Sequence, residues 1–137
     1  MTEAEATMLL AVLKTAYPRD YNYPTREEAR GAAVIWATQF SDLPAEIVLM
    51  AVNKLISSSR FAPSIAEVKS KVETIHWEAY EMLAANDRNE VSLPPDVLDH
   101  YQRIYAATKQ HKYSKSIEPH ISQMIQGGDM QKLLNGG

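Results

Sequence analysis

Apolar and polar residues alternate with a helical period along most of this chain. Within residues 1–86, four stretches carry apolar side chains three and four positions apart, the spacing that gathers them on one face of an α-helix. The first stripe comprises Ala6, Leu9, Val12, Leu13 and Ala16. The fourth comprises Ile65, Val68, Val72, Ile75, Ala79 and Met82. The pattern predicts four amphipathic helices.

Helix-start signals precede each of these stretches. Thr2, Thr25 and Ser64 are each followed three residues later by a glutamate, which is the capping-box spacing. Pro44 opens the third stretch, where a missing backbone N–H is harmless. The first helix is predicted to end at Tyr17-Pro18, since proline disfavours helical geometry in the residue before it.

The stretch SSSRFAPS at 57–64 interrupts the apolar pattern between the third and fourth helices. Three serines end one helix, Pro63 blocks its continuation, and Ser64 starts the next. This predicts a tight corner between packed helices. We expect the ring of Phe61 to fill the end of the core at this corner. Tyr17, Pro18, Trp36, Phe61, Pro63 and Ser64 are therefore the predicted structural residues.

The segment 86–96 is polar and rich in turn residues, and Pro94-Pro95-Asp96 starts a fifth apolar-periodic stretch. We predict an all-α protein with a small N-terminal four-helix bundle, a short linker and a C-terminal helical segment. The predicted boundaries are 1–86 for the N-terminal domain, 87–96 for the linker and 97–137 for the C-terminal segment, which we expect to be mobile and to bind a partner.

Composition narrows the class of protein. The chain has 137 residues, of which 45% are hydrophobic, and no cysteine, which excludes disulfides and fits a reducing compartment. No apolar run approaches the ~18 residues of a membrane span, so we expect a cytoplasmic protein without membrane contact. Residues 1–87 hold 8 basic and 12 acidic side chains, which disfavours nucleic-acid binding by that part because phosphate binding requires clustered cations.

Sequence motifs of catalysis are missing. The chain has neither GxxxxGK[ST] nor GxGxxG, the loops that cradle phosphates. Its four histidines lack the spacing and the third ligand of a metal site, and its acid pairs lack a basic or nucleophilic partner. We therefore predict no enzymatic activity, no cofactor and no metal.

One basic cluster, KQHKYSK at 109–115, contains Tyr113 and follows Tyr105 by four residues. Aromatic rings among cations can stack nucleic-acid bases and neutralise phosphates. The candidate nucleic-acid contacts are Lys109, Lys112, Tyr113 and Lys115. A solvated helix end explains the same residues equally well, so both interpretations stay open.

The last stretch carries apolar residues without a core of their own: Ile117, Ile121, Met124, Ile125, Met130, Leu133 and Leu134. They either pack back on the bundle or form an adaptable partner surface, a use that suits methionine. A third hypothesis is self-association through the near-heptad stripe of the fourth helix. The sequence leaves the oligomeric state open.

The landmarks along residues 1–83 resemble the phage helicase loader/inhibitor family. The similarity consists of a helix ending in AYP, a tyrosine-rich loop, a capped helix with a central Trp36, then FSDLPAEIVLMAV and RFAPSIAEV. The matching positions are Tyr17, Pro18, Trp36, Leu43, Ala51, Val52, Phe61, Pro63, Ser64 and Ile65.

The resemblance implies an all-α N-terminal domain and a non-catalytic adaptor of phage DNA replication. Such proteins bind a hexameric replicative helicase of the DnaB type, hold it inactive and deliver it to an origin-bound replication protein, with a mobile C-terminal region in contact with the helicase. The alternatives from the residues themselves are a nucleic-acid-binding accessory factor and a self-associating helical protein.

Overall fold

The computed structural model describes residues 1–111 and 113, and this part of the chain is all-helical, with five α-helices and no strand. The helices are α1 (Glu3–Ala16), α2 (Arg26–Gln39), α3 (Ala45–Ser58), α4 (Ile65–Asp87) and α5 (Pro95–Thr108). Their order and starts confirm the periodicity analysis. Among the described residues, no helix has both the length and the apolar character needed to cross a membrane.

Side-chain caps mark the starts of α1, α2 and α4. The Thr2 hydroxyl accepts from the Glu5 backbone N–H, and the Glu5 carboxylate accepts from the Thr2 N–H, which closes a capping box at α1. The Thr25 hydroxyl accepts from the Glu28 backbone N–H at 3.1 Å, which caps α2. At α4, the Ser64 hydroxyl accepts from the Glu67 N–H at 3.2 Å. These bonds satisfy donors that have no partner within their own helix.

Contacts divide the chain into two compact units, and the division falls inside α4, between Val72 and Glu73. The predicted boundaries at 86 and 96 are not decided by this division and stay a prediction. In the first unit, α1 packs against α2 and α3. Its core is formed by Ala6, Leu9, Leu10, Leu13, Tyr21, Ala33, Trp36, Phe40, Leu43, Ile47, Val48, Ala51, Val52, Val68 and Val72.

Within the first unit, the predicted stripe of α1 is shifted by part of a turn. Val12 is 37% exposed, whereas Leu10 is buried. Burial of Ala6, Leu9, Leu10 and Leu13 defines a face that leaves Val12 at its margin. The sequence prediction placed Val12 in the buried stripe and omitted Leu10. Apolar residues are frequent along this helix, so periodicity alone does not decide which of them lie at the centre of the buried face.

In the second unit, the turn after α4 is a Schellman motif. Asn89 adopts a positive φ of 61°, a conformation that asparagine tolerates better than most residues. The Glu90 N–H donates to Ala85 O at 2.9 Å and the Asn89 N–H to Asn86 O at 3.1 Å, which is the bond pair of this motif. The Leu93 N–H donates to Asn86 Oδ1 at 3.0 Å, so the turn is held along its length.

Candidate functional site

The corner between α3 and α4 is braced by two tyrosines of the loop between α1 and α2. The Tyr17 hydroxyl donates to Ser59 O at 2.9 Å, and the Tyr21 hydroxyl donates to Pro63 O. Burial raises the pKa of Tyr21 to about 12, so its hydroxyl remains protonated as a donor. Pro18 follows the end of α1 and is exposed, whereas Pro63 is buried. The predicted corner is thus a hydrogen-bonded turn.

Phe61 does not fill the core at this corner, contrary to our expectation. Its side chain is 77% exposed, while the Ser59 hydroxyl accepts from the Phe61 N–H at 3.3 Å and donates to Phe61 O at 2.9 Å. This local turn directs the ring outward. Tyr21 and Pro63 are the buried residues at this corner instead, and the Tyr21 hydroxyl donates to the Pro63 carbonyl.

Trp36 is buried as predicted and forms the aromatic centre of the first unit. Its ring lies 6.2 Å from that of Tyr21 in an edge geometry and 5.6 Å from that of Phe40. Aromatic pairs at these separations stabilise a core beyond the area that they bury. Trp36 and Tyr21 thereby connect α2 to the braced corner.

The second unit contains a group of side chains that the sequence analysis did not assemble. We call it the His76 cluster, and it consists of His76, Trp77, Tyr80, Tyr105, Thr108 and Tyr113. The His76 ring stacks on Tyr105 at 5.4 Å and on Tyr113 at 4.6 Å. Trp77 meets it edge-on at 4.6 Å. The cluster therefore connects α4, α5 and the residue at 113.

Hydrogen bonding fixes the tautomer of His76. The Thr108 hydroxyl donates its single proton to Ile104 O at 2.8 Å, so it must accept from His76, whose Nδ1 lies 2.7 Å from Thr108 Oγ1. Neutral His76 therefore carries its proton on Nδ1. Burial, with a smaller repulsion from His111, lowers the pKa of His76 to about 4. The ring is a neutral packing and hydrogen-bonding group at neutral pH.

The candidate nucleic-acid contacts are only partly within the described residues. Lys109 is exposed at the C-terminal end of α5, whereas Lys112 and Lys115 lie outside the described residues. Tyr113 is half-buried, with its ring stacked on His76 and its hydroxyl donating to Thr108 O at 2.6 Å. The structure thus uses Tyr113 inside the second unit, and its contact with nucleic acid stays a prediction.

The candidate partner-binding residues lie outside the described residues. They are Ile117, Ile121, Met124, Ile125, Met130, Leu133 and Leu134. Their role stays a prediction. Among residues 1–111 and 113, no group of three or more His, Asp or Glu side chains is arranged to hold a metal ion.

A signal for the missed cluster was present in the sequence. Thr108 lies three residues after Tyr105 and four after Ile104, so it continues the stripe of the fifth helix. His76 and Tyr80 share a face of α4 at a spacing of four. A buried histidine needs a hydrogen-bond partner, and a threonine on the facing stripe is a suitable one.

Comparison with known proteins places the chain in a family. A sequence profile of the N-terminal domain of the phage SPP1 helicase loader/inhibitor matches residues 1–69, which include the braced corner and its two tyrosines. No match was found among curated proteins or among solved structures. Because the profile covers half of the chain, this protein belongs to the family of the phage SPP1 helicase loader/inhibitor.

Proposed function

We propose that the protein is a non-catalytic adaptor of phage DNA replication that binds the hexameric replicative helicase, holds it inactive and helps to load it at the origin. The observation that carries this proposal is the family match over residues 1–69, since a loader/inhibitor role belongs to that family. The proposal includes an origin-bound replication protein as the second partner and a cytoplasmic site of action. It also includes the predicted organisation, an N-terminal four-helix bundle at 1–86 followed by a linker at 87–96.

The proposed contact with the helicase lies in the C-terminal segment. Residues 117–134 offer seven large apolar side chains between polar ones, a pattern typical of segments that dock an apolar face into a partner groove. Methionine at 124 and 130 suits such a surface because its side chain adapts to irregular grooves. We assign the main contact to this set as a whole, which comprises Ile117, Ile121, Met124, Ile125, Met130, Leu133 and Leu134.

The burial of α4 weakens one alternative, self-association through its stripe. Val68, Val72, Ile75 and Ala79 are each no more than 3% exposed. Residues that are already buried within one chain are not available to pair with a second copy. Self-association through this stripe is therefore disfavoured, whereas the family match supports a helicase partner.

The experiment compares full chains for binding to the purified hexameric replicative helicase. The wild-type chain is expected to bind, and Ile121→Asp with Ile125→Asp is expected to weaken binding at least about ten-fold, because each charge would enter an apolar contact. The matched control is Ile35→Asp, at a side chain that is 55% exposed on α2. No binding by the wild-type chain would refute the proposal, and equal loss in both variants would refute the assignment to the C-terminal segment.

A further inference from the structure

We propose that Tyr113 is a positioning residue for the C-terminal segment, because it fixes on the second unit the point from which residues 114–137 continue. This inference rests on the proposed function, which assigns the helicase contact to that segment. It adds a residue outside the contact set whose task is to hold the start of the segment in place.

Ring contacts attach Tyr113 to the second unit from several sides. Its ring stacks on His76 at 4.6 Å with an interplanar angle of 25°. It also lies 5.1 Å from His111 in an edge geometry and 6.2 Å from Trp77. A residue beyond a helix end without such contacts frays readily, whereas Tyr113 is half-buried.

The hydroxyl of Tyr113 adds a directional contact. It donates to Thr108 O at 2.6 Å, the carbonyl of the last residue of α5. The final carbonyls of a helix lack partners within the helix. The same carbonyl also accepts from the His111 backbone N–H at 3.1 Å. The Tyr113 hydroxyl is thus a second donor to Thr108 O, and its bond ties the side chain to the end of α5.

The surface that receives Tyr113 is itself held in place. His76 is oriented by the bond between its Nδ1 and Thr108 Oγ1 at 2.7 Å, and a second tyrosine, Tyr105, stacks on the same imidazole at 5.4 Å. Thr108 is completely buried. The ring of Tyr113 therefore rests on a group whose orientation α4 and α5 determine together.

Two consequences for partner binding follow from this arrangement. Ile117 is four residues from Tyr113, so at most roughly 14 Å of chain connects it to the anchor, at about 3.5 Å per residue. Residues that are already ordered before binding also do not lose conformational freedom on binding, which favours association. Removing the anchor should weaken helicase binding although Tyr113 is not proposed to touch the helicase.

The test uses the full chain and the purified hexameric replicative helicase. Tyr113→Ala is expected to weaken binding about five-fold. This factor corresponds to the entropy lost when roughly one additional residue becomes ordered during binding. Tyr113→Phe keeps the ring stack and is expected to restore most of the affinity. Tyr101→Ala is the matched control, since Tyr101 lies on α5 and contacts His100 at 5.4 Å rather than His76.

Two spectroscopic readouts report the anchor without a partner. In Tyr113→Ala the His76 ring proton resonances should lose the shift caused by the stacked tyrosine, and the amide at 113 should exchange faster with solvent. Tyr113→Phe should keep the His76 shift. Circular dichroism of each variant is expected to match the wild-type chain.

The outcomes separate the two proposals. If the wild-type chain binds the helicase and Tyr113→Ala binds equally well, the positioning role is refuted and the proposed function stands. If Tyr101→Ala weakens binding as much as Tyr113→Ala, a general loss of stability explains the result and the positioning role is again refuted. If the wild-type chain does not bind the helicase, the proposed function fails and the inference fails with it.

Discussion

His76 shows how one side chain can make the second unit sensitive to acid. His76 is 4% exposed, its Nδ1 lies 2.7 Å from Thr108 Oγ1, and two tyrosine rings lie against it. A positive charge in this setting would lose hydration that the surrounding rings replace only in part. The charged form is therefore the unfavourable one in the folded chain.

The resulting prediction concerns the unfolding free energy between pH 7 and pH 4. The pKa of His76 is about 4 in the folded chain, lowered mainly by burial and further by His111, and about 6.5 in the unfolded chain. Between these values the unfolded chain binds more protons, so the stabilisation present above about pH 6.5 is lost as pH falls. The difference amounts to about 3 kcal/mol.

Denaturant unfolding at several pH values measures this effect as a difference between variants. His76→Asn keeps a donor near the Nδ1 position and removes the titrating ring, so its unfolding free energy should depend less on pH than that of the wild-type chain. His100→Asn is the matched control, since His100 is exposed on α5. Identical pH dependence in all three chains would contradict the assignment.

At the scale of elements, the corner between α3 and α4 contains both residues that we expect to stabilise the fold and a residue that we do not. Tyr21→Phe removes the hydroxyl that donates to Pro63 O in a buried position and should lower the unfolding free energy by about 1–3 kcal/mol, the cost of a buried carbonyl without a donor. Phe61→Ser changes a ring that is 77% exposed and should alter it by less than about 0.5 kcal/mol.

Chemical denaturation of the two variants beside the wild-type chain checks this prediction, and Tyr17→Phe extends it. Tyr17 donates to Ser59 O at 2.9 Å in a partly buried position, so its effect should fall between those of the other two. A large destabilisation by Phe61→Ser would restore the original expectation that this ring fills the core.

The same corner shows why helices were predicted better than contacts. Ser64 and Glu67 mark the start of α4 by their spacing alone, and such local chemistry is visible in the sequence. The outward direction of Phe61 depends on a short turn at Ser59 and on the competing burial of Tyr21, which lies 42 residues before its bonding partner Pro63. Periodicity carries no information on such long-range competition.

The His76 cluster was missed for the same physical reason. His76 and Thr108 are 32 residues apart in the chain, and neither residue alone indicates a buried hydrogen bond. Only the pairing of α4 with α5 in the second unit brings the imidazole to Thr108. The turn at Asn86 and Asn89 that makes this pairing possible was predicted from the sequence only as a polar boundary.

At the scale of the whole molecule, several large apolar side chains of the first unit are exposed to solvent and are not part of its core. Met8, Ile35 and Phe61 are 71%, 55% and 77% exposed. Single exposed apolar residues are common on protein surfaces. They nevertheless make Ile35→Asp an informative control, because a loss of helicase binding there would assign a contact to the first unit.

Charge distribution supplies the last prediction, which concerns the nucleic-acid alternative. The chain carries a net charge of −3, and one face of the Tyr113 ring packs against His76 and is not available for stacking on a base. Three lysines, Lys109, Lys112 and Lys115, could contact three phosphates. Single-stranded DNA binding through them would give a slope of log affinity against log salt of about −2.

We expect no such binding, because an acidic chain attracts phosphates weakly and must order three long side chains to contact them through this sequence cluster. Fluorescence anisotropy with a labelled oligonucleotide between about 20 and about 200 mM salt, a range over which such contacts weaken steeply, measures it directly. A slope near about −2 that disappears when the three lysines become glutamine would establish nucleic-acid contact. If the wild-type chain does not bind the oligonucleotide and the glutamine variant binds the helicase as well as the wild-type chain does, the three lysines contact neither nucleic acid nor helicase. The helicase is then the partner that this protein recognises.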